Sequence, residues 1–216
     1  MNKTERIKNR IDEGFVVLDG GLGSLLQKKG LRAGELSESW NLSNPEVIKD
    51  IHKSYLGAGS DIIVSNTFGA NCFKFGDDDL KKIIAAAFYL AKQAVSEYEA
   101  EHPQAQGRHF IGLDIGPLGC MLKPFGDLAF EDAVAAFRKT IDIAKDYDFD
   151  LIYIETMNDI YEAKAAVLAA KEEIHRQRQE MDKELRDRRN EMNRQERRVA
   201  QKEENLLFRV NRRRLL

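Results

Sequence analysis

The chain is poor in cysteine, has no long apolar run and has no glycine-rich phosphate loop. Each absence removes a class of protein. No stretch approaches the roughly eighteen consecutive apolar residues that a membrane helix needs. The N-terminus, MNKTERIKNRIDEG, lacks the apolar core of a signal peptide, so a cytoplasmic protein without a membrane partner is expected. The two cysteines, Cys72 and Cys120, lie far apart, with no Cys or His neighbour at metal-site spacing. They read as buried free thiols in a reducing compartment. No G-x-G-x-x-G follows an apolar run, because GGLG lacks the spacing, and there is no GKS or GKT. A nucleotide-binding reading is weakened accordingly.

Charge of one sign is also missing overall: the formal net charge is -2. That balance hides a split. From Lys171 onward there are 15 basic and 10 acidic residues, and the preceding part holds 19 basic and 26 acidic. The two parts carry net charges of +5 and -7 and are read separately.

The stretch that organises the first part is FVVLDGGLG, Phe15 to Gly23. Its four apolar residues suit a short buried parallel strand. Asp19 then falls at the strand exit, the end that carries sites in α/β folds. The glycines permit a tight exit or a close backbone approach to a ligand. An ordinary Asp-Gly-Gly turn remains the alternative.

The same grammar repeats down the chain. Residues 4–13 read as a short amphipathic helix leading in, and 24–29 as one or two helical turns ended by Gly30. Trp40 is expected to anchor the polar loop LRAGELSESWNLS. Asn44–Pro45 is a helix start, with Asn as cap and Pro at the first position. Val47, Ile48, Ile51, Tyr55 and Leu56 follow at helical spacing. A second strand, DIIVSNTFG, brings Ser65, Asn66 and Thr67 to its exit. The helix after Asp77–Asp79 carries Leu80, Ile83, Ile84, Ala87, Leu90, Ala91, Ala94 and Val95. A third strand, HFIGLDIGPLG, has Asp114 inside it. The helix 130–145 leads to a fourth strand, DLIYIETMND, with Glu155 and Thr156 at its exit. Four successive strand–helix units predict a parallel sheet with right-handed crossovers, either open and doubly wound or part of a barrel. Asp19, Asn66 and Glu155 accumulate at the strand exits, a set suited to an amino group or another polar small molecule. Acid–base work by the two carboxylates is the alternative.

The last helix, from near Asp159, does not stop. From Glu172 to about Arg209 there is no Gly and no Pro, and Leu185, Met192, Val199 and Leu206 fall seven apart. Ile174 and Met181 start a companion seam that turns polar at Arg188, Gln195 and Lys202. This predicts a long charged helix, either paired as a coiled coil or solvated alone. Interleaved acids favour a solvated face over a nucleic-acid track. The final NRRRLL is expected to fray.

The stretches VLDGGLGSLLQ, NPEVIKDIHKSYLGAGSDIIVSNTF, GLDIGPLG and DLIYIETMNDIYEAKAAV, over about residues 10–170, resemble the homocysteine S-methyltransferase domain, as found in cobalamin-dependent methionine synthase. The resemblance implies an α/β fold, the N-terminal half of a (β/α)8 TIM barrel with four parallel strands and crossover helices, followed by the charged helix. It implies methyl transfer to the homocysteine thiol, giving methionine. Asp19 and Glu155 are expected near the homocysteine amino group, with Asn66 shaping the pocket. The complete family uses zinc held by three cysteines and a methyl donor such as methylcobalamin. The N-C and G-G-C-C segments that carry those cysteines are absent from this sequence, so neither group is expected to bind tightly and the chain is expected to be inactive alone. The tail, about 172–207, resembles the coiled-coil region of ribonuclease Y. The expected domains are therefore a partial homocysteine-binding barrel over 1–171 and a helical tail over 172–216, joined near Ala169 to Glu173 as in a chimaeric gene. Self-association through exposed sheet edges or the tail is expected.

Overall fold

The computed structural model describes residues 3–214, with side chains described from Glu5 to Gln195 apart from 177, 178 and 181. Clustering of contacts divides the chain into two compact units, Met1–Lys171 and Glu172–Leu216.

The first unit is a mixed α/β fold around a three-stranded parallel sheet of order β1-β2-β3, consistent with part of a (β/α) barrel. The strands are β1 (Ile62–Val64), β2 (Phe110–Ile115) and β3 (Leu151–Ile154). Ile62 lies opposite Phe110, and Gly112 to Ile115 lie opposite Leu151 to Ile154. β2 has a strand on each side and is buried along its whole length, whereas β3 is half-buried throughout.

The expected first strand is corrected. Residues 15–19 run alongside β1 and make one parallel bridge, Leu18 to Ile62, rather than a ladder. The Asp61 and Ile62 N–H groups donate to the Val17 carbonyl (2.8 and 3.1 Å), and the Asp19 N–H donates to the Ile62 carbonyl (2.9 Å). Nor is the segment buried: Phe15 is 93% and Val17 49% exposed. It has a neighbour on one side only, so apolar character alone could not bury it.

Helices α1 (Lys3–Asp12), α2 (Leu22–Lys28), α3 (Trp40–Ser43), α4 (Pro45–Gly57), α5 (Asp77–Glu101) and α6 (Phe130–Ala144) lie where the periodicity placed them or fill the expected polar loop. Pro45 opens α4 as expected, but the Asn44 side chain makes no capping bond; its Oδ1 accepts from the Ser43 hydroxyl instead. The main core joins Ile63, Leu113 and Ile115 of the sheet to Leu80, Ile84 and Phe88 of α5 and Phe137 and Ile141 of α6. Phe88 stacks on Tyr147 and Phe149. Trp40 is buried with Leu26, Ile48, Ile51 and Leu90 in a second cluster, as its role as anchor required.

At the N-terminal ends of the strands, α1 acts as a clamp. Arg10 pairs with Asp61 at 2.8 Å, and Asp61 Oδ2 accepts the Val17 N–H at 2.9 Å. Arg6 approaches Asp150 at 3.8 Å and lies over the Phe110 ring, and Asp150 Oδ2 accepts the Ile111 N–H at 2.9 Å.

The final helix, α7, spans Ile160–Arg214 without interruption, as the lack of Gly and Pro implies. Its first turns enter the core through Ala165, Ala166, Ala169 and Ala170. In the second unit Ile174, Leu185 and Met192 are about half-exposed. The side chains of Met181, Val199 and Leu206, and the end of NRRRLL, lie outside the described residues. Cys72 is half-buried and Cys120 exposed, which corrects the expectation of two buried thiols: Cys120 sits on the excursion after β2 rather than in an element. Among the described residues no helix is long and apolar enough to cross a membrane.

Candidate functional site

The C-terminal ends of the strands open onto a cavity of about 320 Å3. Its wall includes the Gly20–Gly23 turn, Ser37, Ser65, Phe68 and Tyr153 together with Asp19, Asn66, Asp114 and Glu155. All three residues expected at the site from the sequence therefore line one space. Asp19 sits on the exit of the edge segment, Asn66 follows β1 and Glu155 follows β3, so parallel direction and register bring them to the same rim. The Glu155 N–H donates to the Ile115 carbonyl at 3.1 Å, fixing the exit of β3 against that of β2. The next residue, Thr156, takes a left-handed conformation (φ 55°) and turns the chain sharply over the rim.

The three side chains are engaged differently. Asp19 Oδ2 accepts the Val64 N–H at 3.0 Å. The Asn66 Nδ2 is committed to the wall: it donates to the Ser37 carbonyl and to Asn41 Oδ1, each at 2.9 Å, while the Asn66 backbone carbonyl accepts from Asn41 Nδ2. Asn66 thus holds the loop that carries Ser37 against the sheet. Gly20 is required by close approach, since a Cβ there would lie 2.9 Å from the Tyr55 hydroxyl, which itself donates to the Gly21 carbonyl at 3.2 Å.

Asp114 is the functional candidate that the sequence placed but did not select. It is 5% exposed, and its Oδ1 is sealed from solvent with no hydrogen-bond partner. The available signal was an acid inside an otherwise apolar central strand, where an unpaired charge is costly. Burial pushes the Asp114 carboxyl up to about 8, reinforced by the charges of Glu155, Asp19 and Glu38. Burial also pushes Asp19 up to about 7, against the pull of the Val64 N–H and with Glu155 adding to the rise. Asp19, Asp114 and Glu155 make no ion pair with any described residue. The cavity is thus a cluster of three acids with no counter-cation among the described residues, an arrangement in which burial and mutual repulsion hold protons on the carboxyls.

The donor set does not fit the zinc site that the resemblance brings to mind. Among the described residues no three His, Cys, Asp or Glu side chains are grouped to hold a metal ion, and neither Cys72 nor Cys120 lines the cavity.

Parallel strand–helix units with an acidic cavity at the C-terminal rim are the layout of part of a (β/α) barrel. The family model for homocysteine S-methyltransferase matches residues 16–200, and the chain belongs to that family. The match runs past Lys171 into the charged helix. Among solved structures, the metallated form of the homocysteine methyltransferase MmuM from Escherichia coli is 24% identical, with a TM-score of 0.64 over 74% of this chain and 60% of that one. The oxidized form is 23% identical, with a TM-score of 0.65 over 76% and 60%. These likenesses show the fold, and this chain spans about 60% of the length of those proteins.

Proposed function

We propose that the cavity binds homocysteine through its α-ammonium group, as the substrate-holding part of a methyl transfer that yields methionine. The observation that carries this reading is the convergence of Asp19, Asp114 and Glu155 on one cavity, without a described cation, in a chain of this family. An ammonium offers one positive charge and three N–H donors, so it can satisfy three carboxylates at once. Each charge-assisted hydrogen bond contributes about 1.5–3 kcal/mol. Asn66 shapes the pocket wall beside these carboxylates. A thiol with a pKa near ~8.5 stays largely protonated at neutral pH. No described group can ionise it by coordination, so the chain alone is expected to bind without turning over.

Calorimetry with homocysteine, with and without zinc, tests both halves. Saturable binding that zinc does not change is expected. A wild-type chain that ignores homocysteine overturns the substrate reading, and methyl transfer on adding zinc and a methyl donor overturns the inactivity.

A second role rests on exposed apolar surface. Phe15 and Val17 on one sheet edge, half-buried β3 on the other, and Ile174, Leu185 and Met192 on α7 all face outward. Self-association follows from either surface. On this proposal residues 1–171 form the homocysteine-binding unit and residues 172–216 a coiled-coil tail joined from another gene. Sedimentation with and without residues 172–216 assigns the surface, and sequencing genomic DNA across the join tests the chimaera.

A further inference from the structure

Behind the main cavity lies a second, much smaller one of about 10 Å3, lined by Thr67, Phe68, Asn71, Asp114, Phe137 and Thr140 among others. Phe68 and Asp114 line both cavities. The small cavity has room for about one water molecule. Two of its lining residues carry buried polar atoms without partners, and they are complementary: Asn71 Nδ2 is a donor and Asp114 Oδ1 an acceptor. The Asn71 amide cannot be flipped to remove the mismatch, because its Oδ1 accepts the Phe73 N–H at 3.0 Å. Thr140 Oγ1 donates to the Ala70 carbonyl at 3.0 Å and keeps acceptor capacity toward the same space.

We propose that the small cavity holds one bound water that accepts from Asn71 Nδ2 and donates to Asp114 Oδ1 and Thr140 Oγ1, making Asn71 the positioning residue of the cavity's third carboxylate. Three partners are what a buried water typically makes, and two orphaned groups, each costly if left unmade, are satisfied together. One Asp114 oxygen is then anchored from behind while the other faces the ligand. The groups acting on Asp114 from neighbouring elements are Glu155, Asp19 and Glu38, with the Tyr153 phenol also coupled to it. All are acids, so the bridging water is the contact that favours the ionised carboxylate.

The bridge is independent of the ligand, while its effect on affinity rests on the homocysteine reading. The test therefore uses the unliganded full chain first. A crystal structure that resolves ordered waters should show one density peak within about 3.2 Å of both orphaned atoms; a direct Asn71–Asp114 contact, or no peak, overturns the proposal. Carbon-13 NMR of the Asp114 carboxyl should show its midpoint rising by about one pH unit in Asn71→Leu. Thr140→Val, which is nearly isosteric and protects against a failure of the first variant to fold, should move it in the same direction by less. An unmoved midpoint in a folded variant sinks the idea. If homocysteine binds, Asn71→Leu should weaken it about tenfold at pH 7 and much less at pH 9, whereas a purely structural defect would weaken it equally at both. If the wild type binds no homocysteine, the substrate reading fails while the density and the titration still decide the water.

Discussion

The two ends of the sheet use the same residue types to opposite purposes. At the N-terminal ends, Asp61 and Asp150 each face an arginine of α1 and each accept a backbone N–H, Asp61 from Val17 on the edge segment and Asp150 from Ile111 of β2. At the C-terminal ends, Asp19, Asp114 and Glu155 share a cavity and have no described counter-cation. The first end is electrostatically closed and holds the fold together. The second carries no described counter-charge, and burial raises the Asp19 and Asp114 carboxyls there, which is the basis of the proposed ammonium site.

Removing an acid at each end is the sharpest way to break this comparison. Asp61→Ala strands Arg10 and the Val17 N–H together and should destabilise the first unit by about 3 kcal/mol, read as a lowered denaturation midpoint. Asp19→Asn or Glu155→Gln should leave the melt intact but weaken homocysteine about 10–100-fold by calorimetry. A fold that tolerates Asp61→Ala, or a ligand indifferent to Asp19→Asn, would erase the distinction between the ends.

Acidity sharpens it further. Asp19 and Asp114 are raised to about 7 and 8, so an ammonium ligand must displace protons to bind. Homocysteine affinity should rise by more than about tenfold from pH 6 to pH 8, and Asp19→Asn should reduce that rise to the part set by Asp114. Stability runs the other way. Both carboxyls hold their protons more tightly folded than unfolded, so their contribution is fully present below pH 4 and is lost as pH rises through 7 to 8. The smallest effect follows: Asp114→Asn should stabilise the unliganded chain by about 1 kcal/mol at pH 8 and not at pH 4, measured by paired thermal melts.

Strand exits and helices were legible because their signals are local. NTF after β1 and ET after β3 stand within a few residues of the apolar runs that place them. Asn66 stands on the cavity wall where its place after β1 put it, and its Nδ2 also ties down the Ser37–Asn41 loop, a long-range contact that the NTF motif does not announce. Phe15 and Val17 carried the apolar pattern of a buried strand, but burial depends on a neighbour that a pattern cannot supply. Asp114 was visible as an acid in a strand, yet nothing nearby said that it would face the rim.

The sequence by itself determined the order of strand–helix units, the unbroken α7 and the polar residues delivered to one rim, because strand and helix periods and turn chemistry act over a few residues. Only the tertiary structure decided which acids are neutralised. Arg10 and Asp61 are 51 residues apart, and Ile111 and Asp150 are 39 apart. Those contacts sit at the N-terminal ends of the strands, and none of them reaches Asp19, Asp114 or Glu155 at the other end. Pairing depends on distances of a few ångströms in space, and separation along the chain carries no record of them.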